Sequence, residues 1–326
     1  ARLRPALAGK YVRELVEWLP DVVHSQCEFS TFFLARRIAE ERDIPLVHTY
    51  HTVYEDYTHY FSPSVRFGKK AVAVFSRWAA AQTDCVIVPT GKVRRLLQGY
   101  GGEQPGFEVP SGIDLRRFGG EADPWRMAVL RARAHIPQDR LILVSVGRLA
   151  EEKELDELLR CRAAVGPGHG TLRLVGDGPD RPRLEALAGS LGLEAPDVVF
   201  AGQVAPEQVA DWYQLGDLFV SASTSETQGL TYVEALAAGV PALCRADPCL
   251  EGVIREGENG WTYRDGDEFR RKLALFQSQP HHQDKMRELA RRSAGEFSLQ
   301  RFAERAETIY RLQIARRGTG TEAVGA

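Results

Sequence analysis

Cysteine pairs, long apolar runs and charge of one sign are all scarce in this chain, and each scarcity removes a class of protein. The five cysteines (Cys27, Cys85, Cys161, Cys244 and Cys249) are odd in number, and none stands in C-x-x-C spacing. That argues against a disulfide-built secreted scaffold and a thiolate metal site, and reads as reduced cytosolic thiols. Cys244 and Cys249 are near enough in sequence to pair, but two free thiols is the favoured reading. No run of 18 apolar residues occurs, so no transmembrane helix is expected. The opening ARLRPALAGKYVRELVEW has no apolar core of a secretory signal, and it lacks an initiator methionine, which marks the chain as an expected fragment. Net charge is only −2. Residues 1–120 carry 16 basic and 13 acidic side chains, against 26 and 31 in the remainder. An imbalance that small, without a basic array interleaved with stacking aromatics, excludes nucleic acid as a partner. It leaves room for a mildly basic front half that favours an anionic surface.

What is present is a long alternation of β-rich and helical stretches. The 326 residues, 44% of them hydrophobic, suit two globular domains. Residues 21–24, 45–49, 84–89 and 107–110 read as strands, with helices over 30–42 and 91–100 between them. A break at Gly119-Gly120 follows. Residues 141–146 (LILVSV) then open a second series, continued at 172–175, 198–201, 218–221 and 240–243. Strands separated by helix-length segments predict an α/β architecture of parallel doubly wound sheets. Ligands of such sheets bind beyond the carboxyl ends of the strands. A final helix is predicted over 299–315, and the tail RRGTGTEAVGA reads as disordered.

The most informative stretch is SETQGLTYVEALAAGVP, residues 225–241. Glu226 and Glu234 lie eight positions apart, with Gln228-Gly229-Leu230-Thr231 between them. Glu226 belongs in the loop, and Gly229 to Thr231 at the helix start. A helix N-terminus offers unpaired N–H groups and partial positive charge, which suit a phosphate. Carboxylates on either side of an anion site suit an anion with hydroxyl-rich groups at both ends, as in a nucleotide-sugar. A capped helix with an acidic first turn is the plain alternative. Earlier, GRLAEEK (residues 147–153) places Gly147, Arg148 and Lys153 after a strand. Fixed cations there stabilise a leaving diphosphate more in the transition state than before it. FAGQV (residues 200–204) leaves another strand, and an ordinary strand exit is an equal reading. Asp265-Gly266-Asp267 is a literal D-x-D, better read as a capped turn than a metal site. HTYHTVYEDYTHY, residues 48–60, gathers three histidines, several tyrosines and two carboxylates after a strand. His48, His51 and His59 lack a regular zinc-ligand spacing.

These motifs together resemble the retaining GT-B glycosyltransferases of family 4. The Glu-x7-Glu pair, the G-R-L-x-x-x-K element, the F-x-G-x-V loop and Pro110-Ser111-Gly112-Ile113-Asp114 all match. HSQCEF (residues 24–29), the 48–60 cluster and SETQGLTY are similar to a narrower group, the bacterial diacylglycerol glucosyltransferases. The match runs over essentially the whole chain. It implies two Rossmann-like domains facing a cleft: an acceptor-side domain at 1–120, a nucleotide-sugar domain at 121–298, and a crossover helix and tail at 299–326. It further implies that a glycine-rich loop and two or three strands precede this chain. The resemblance gives His51 to the donor sugar, Arg148 and Lys153 to the diphosphate and Glu226 to the sugar hydroxyls. Glu234 goes to the ribose, Gln203 and Val204 to the nucleobase through their backbone, and Gln228 to Thr231 to the phosphates. Most relatives have Phe where Gln228 stands. The implied activity moves a hexose, glucose from UDP-glucose, to diacylglycerol with retention of configuration. No metal or other cofactor is expected. Another family-4 acceptor, or binding of a nucleotide-sugar without transfer, are the rival readings. Arg66, Lys69, Lys70 and Arg77 alternate with Val65, Phe67, Val72, Val74, Phe75 and Trp78 on one helix. That pattern suits the face of an anionic bilayer, and equally a packed helix with a basic edge. The expected location is cytoplasmic, peripheral on the inner face of the plasma membrane.

Overall fold

The computed structural model describes residues 5–60, 64–120, 123–134, 136–137, 140–166 and 168–322. The chain divides into two units, residues 1–112 with 300–326, and residues 113–299. In the first unit, strands β1 (Val23–Ser25), β2 (Leu46–Thr49), β3 (Cys85–Val88) and β4 (Gly106–Glu108) form one parallel sheet in sequential order. The central strands LVHT and CVIV are buried along their whole length, as expected where helices cover both faces. Helix Ser30–Arg42 ends where Asp43 takes the left-handed conformation and returns its N–H to the carbonyls of Ala39 and Glu40.

The second unit holds β5 (Ile142–Val146), β6 (Thr171–Val175), β7 (Val198–Gly202), β8 (Leu218–Ser221), β9 (Ala242–Arg245) and β10 (Gly260–Tyr263). All pair in parallel, in the order β10-β9-β8-β5-β6-β7. Read from β7, this is the Rossmann order, with its direction reversing between β5 and β8. One face packs Val144, Val175, Tyr213, Phe219, Val233 and Leu236 into a core. The other packs Leu143, Leu159, Leu174, Val220, Leu243 and Phe269. The alternation of residues along each strand sends neighbours to opposite cores. Two parallel sheets with their helices bear out the α/β doubly wound architecture that the strand–helix alternation predicts.

Three expectations need correction. The ninth strand lies at Ala242–Arg245 rather than 240–243, because the Val240 N–H turns back to the Ala235 carbonyl and closes the preceding helix. Strand β10 was not expected at all. The final helix runs over Leu299–Glu322, so most of the tail read as disordered is helical. Arg317 bonds Asp43 at 2.9 Å and the Ile44 carbonyl at 3.0 Å, tying that segment down. All five cysteines are free thiols. Asp265 caps helix Gly266–Ser278 by accepting from the Glu268 N–H at 2.8 Å, as a turn residue should. No helix among the described residues is long and apolar enough to cross a membrane.

Candidate active site

The reversal between β5 and β8 parts the connections on either side, so the loops after these two strands border a crevice. The loop after β5 leaves through Gly147 at φ 151°. A Cβ on Gly176, after β6, would fall 1.9 Å from the Gly147 carbonyl oxygen, and one on Gly178 would fall 2.2 Å from that of Leu149. The Gly147 N–H donates to Val175, the Leu149 N–H to Asp177 and the Gly176 N–H to Gly202. Backbones of three loops therefore lie in direct contact, and only glycine permits it. A short turn, Glu151–Lys153, follows, and Glu154 at φ 51° redirects the chain into helix Leu155–Val165.

That turn aims Lys153 across the reversal. Its Nζ lies 2.5 Å from Oε1 of Glu226, in the loop after β8. The two side chains are 26% and 17% exposed, so solvent screens this pair less than a surface ion pair. Arg148 pairs with Glu152. Burial alone would raise the Glu152 carboxyl, but the adjacent Arg148 guanidinium holds it below the usual range. Two further bonds lock the loops together: the Ser225 hydroxyl donates to the Glu152 carbonyl at 2.8 Å, and the Thr224 hydroxyl to Glu154 at 2.9 Å.

The loop after β8 ends at Gly229, in the left-handed conformation at φ 72°, which caps helix Leu230–Ala237. Gln228 just before it is buried, while Leu230 is exposed and Thr231 half-buried. The first N–H groups of a helix have no acceptor within it, and this terminus directly continues the loop that carries Glu226. One turn on, Glu234 accepts from the Tyr213 hydroxyl at 2.8 Å. Burial raises the Glu234 carboxyl, with the Tyr213 bond and nearby Arg117 opposing. Gln203 and Val204 follow Gly202 at the end of β7, Gln203 exposed and Val204 half-buried.

His51 belongs to the first unit. Its Nε2 lies 2.6 Å from the Gln26 amide oxygen, so the proton sits on that nitrogen. Partial burial of the ring keeps its pKa below the ordinary value. His24 bonds Tyr310 at 2.6 Å and Thr49 at 2.7 Å, and burial, then His48 and His51, lower its pKa to about 4. His48 is buried against Glu28 at 3.2 Å, and the Tyr54 hydroxyl donates to the same carboxylate at 2.6 Å. The His59 side chain lies outside the described residues.

Lys153 and Glu226 thus meet directly. Arg148, Gly147 and Gln228 to Thr231 sit on the two loops that hold them, and Glu234 on the helix that follows. Gln203 and Val204 sit on a loop bonded to the same group through Gly176 and Gly202. Tyr213 and Thr224 escaped the sequence reading, and Glu152, Ser225, Gln26 and Glu28 stood inside its motifs without an assigned role. Thr224 directly precedes the 225–241 stretch, and its position could have revealed it.

The family description "Glycosyl transferases group 1" matches residues 128–293, and "Glycosyltransferase Family 4" matches residues 1–117. The alpha-monoglucosyldiacylglycerol synthase of Streptococcus pneumoniae (strain ATCC BAA-255 / R6) is 37% identical over 246 residues, covering 74% of this chain and 56% of that protein. That of Acholeplasma laidlawii is 31% identical over 309 residues, covering 92% and 77%. The D-inositol 3-phosphate glycosyltransferase of Geodermatophilus obscurus is 29% identical over 323 residues, covering 94% and 70%. Among solved structures, HepE of Anabaena in complex with UDP aligns with a TM-score of 0.78 at 20% identity, over 93% of this chain and 82% of that one. Sucrose-phosphate synthase of Thermosynechococcus elongatus aligns with a TM-score of 0.77 at 22% identity, over 96% and 78%. By sequence and by fold, the chain belongs to the GT-B glycosyltransferases of family 4.

Proposed function

We propose that this enzyme moves glucose from UDP-glucose to diacylglycerol with retention of configuration. The observation that carries the reading is the Lys153–Glu226 pair at the strand reversal, beside the Gly229-capped helix N-terminus. A departing diphosphate gains negative charge as the sugar bond breaks. Lys153, Arg148 and the amides of Gly229 to Thr231 would meet that charge, and a fixed field aimed where charge develops speeds the step. With donor bound, Lys153 turns to phosphate and releases Glu226 to accept from sugar hydroxyls. Glu234, held by Tyr213, has its remaining acceptor capacity for the ribose. Gln203 and Val204 offer backbone groups to the base, and the family resemblance assigns His51 to the donor sugar. Displacement occurs on one face of the sugar, with no enzyme nucleophile assigned. The lysine and arginine stand where other transferases use a divalent ion, so EDTA leaves turnover unchanged.

Diacylglycerol as acceptor draws on the two monoglucosyldiacylglycerol synthases, both over 30% identical. It also draws on the surface of the first unit. Helix Val65–Ala81 buries Gly68, Val72, Ser76, Ala79 and Ala80 and leaves Val65, Phe67, Val74 and Trp78 exposed beside Arg66, Lys69, Lys70 and Arg77. Phe29 and Phe33 extend the patch, with ring centroids 5.9 Å from Phe75 and 5.6 Å from Trp78. Exposed aromatics among cations suit an anionic membrane interface, and we place the enzyme peripherally on the inner leaflet.

The test is incubation with radiolabelled UDP-glucose and mixed lipids, with the product identified by mass. Lys153→Ala and Glu226→Gln should each lower kcat about 100-fold or more. Near-normal rates in both would refute the assigned roles. The inositol-phosphate transferases in the family supply a second acceptor class, and a product with inositol phosphate but none with lipid would replace the diacylglycerol reading.

A further inference from the structure

Two of the largest fully buried side chains in the second unit are arginines. Arg162 is answered by the Gly166 and Gly170 carbonyls and by Asp197, at 2.7 to 2.8 Å. Arg173, in the middle of β6, is not. Its Nε, Nη1 and Nη2 are all buried and have no hydrogen-bond acceptor among the described residues. Burial, and then the charge of Arg131, lower its pKa to about 10, which still leaves it protonated at neutral pH. A buried cation without a partner costs several kcal/mol, roughly the penalty for taking an ion out of water. A fold keeps such a residue where something else answers it.

Arg173 lines a cavity of about 560 Å³ between helix Pro124–Arg133, the edge strand β7 and helix Val209–Leu215. Arg126 and Arg133 reach the same cavity. The one carboxylate among its described lining residues, Asp211, is bonded to Arg126 at 2.5 Å. Among the described lining residues, three arginines against one aspartate leave the cavity cationic. The rest of its wall is largely apolar, with Val129, Leu130, Val199 and Trp212. A guanidinium presents a planar fork that matches a carboxylate or a phosphate oxygen pair. A cationic floor under an apolar wall selects an anion that carries a hydrocarbon or aromatic body.

We propose that this cavity is a binding site for an amphiphilic anion, a carboxylate or phosphate monoester on an apolar body, with Arg173 as its deep anchor. Its described lining includes no residue of the loops after β5 and β8 that carry Lys153 and Glu226. Its rim includes Gln203, Val204 and Ala205, so an occupant touches the segment proposed to hold the nucleobase.

Thermal unfolding of the full chain, with octanoate, octyl phosphate, inorganic phosphate and uncharged octanol as probes, tests this without any activity measurement. Octanoate or octyl phosphate should raise the wild-type Tm, and octanol should not. Arg173→Met should unfold at the same or a higher temperature without probe and lose at least tenfold in apparent affinity. The exposed Arg133→Gln should weaken binding several-fold and keeps the test intact if Arg173→Met fails to fold. A response to octyl phosphate alone assigns the site to a lipid-like anion. An equal response to inorganic phosphate overturns the apolar-body requirement and with it the proposal. The proposal is overturned if no probe shifts the wild type, or if the variants respond as the wild type does. It is also overturned if UDP displaces the probes and Arg173→Met loses UDP by the same factor, which would make the cavity part of the donor site.

Discussion

One hydroxyl sets the direction of Glu234. Tyr213 is fully buried, its ring 6.0 Å from Phe118 and 5.9 Å from Phe219, so it cannot swing away from the carboxylate it serves. Tyr213→Phe keeps that packing and removes one bond. A lost neutral-to-charged hydrogen bond is worth roughly 1.5–3 kcal/mol, so KM for the donor should rise about tenfold or more with kcat little changed. The bond favours the ionised carboxyl, so its loss raises the Glu234 pKa further. The acidic limb of kcat/KM should then move to higher pH in Tyr213→Phe, read from a rate profile between pH 4 and 8. His24 gives a stability prediction of definite sign. Its pKa falls from 6.5 to about 4 on folding, so the unfolded chain binds the extra proton. Stability from this group is present above pH 6.5 and is lost as pH falls toward 4, by about 2–3 kcal/mol. Urea midpoints at pH 7 and 4.5 should differ less in His24→Gln than in the wild type. Neither residue was legible as it acts. Tyr213 sits on a helix 21 positions before its partner, and no spacing rule links them.

Elements were more legible than residues, and the reasons differ by case. LFVS, CVIV and ILVSV are short, largely apolar runs rich in β-branched and aromatic residues, and each is a strand where one was read. GWTY failed because it opens with Gly260, a poor strand former by itself. Tertiary packing requires that glycine, since a Cβ there would fall 2.2 Å from the Ala242 carbonyl oxygen. The tail was misread because its glycines and threonines outweigh its two arginines in local propensity, whereas Arg317 anchors it through Asp43. Gly229 shows the reverse case, a glycine whose need the motif did announce. A Cβ there would fall 2.2 Å from the Tyr232 ring at a left-handed φ. Gly229→Ala should cost about 1–3 kcal/mol in urea denaturation and raise donor KM, because the helix start that it caps must shift. A variant with unchanged stability and KM would show that this cap does not shape the site.

At the scale of the whole chain, the sequence pattern located the strands of both units apart from β10, since βα alternation and glycine spacing are local signals. The wider aromatic surface was not local. Phe29 and Phe33 join Trp78 and Phe75 only through folding, which brings helix Ser30–Arg42 beside helix Val65–Ala81. If this face meets lipid, Phe67→Ser with Trp78→Ser should reduce flotation on vesicles with or without acidic lipid. Lys69→Glu with Lys70→Glu should remove the acidic-lipid dependence, at about 1 kcal/mol or roughly fivefold per basic residue lost. Wild-type flotation that is absent on every vesicle composition would end the membrane reading. The backbone contacts among Gly147, Gly176, Gly178 and Gly202 carry a different consequence, for engineering. Loops that touch through main chain alone share one outline, and a graft that replaces any of them from a relative with another donor inherits a mismatched neighbour. Donor preference in this family should therefore transfer in chimeras only when the segments after β5, β6 and β7 are exchanged as a set.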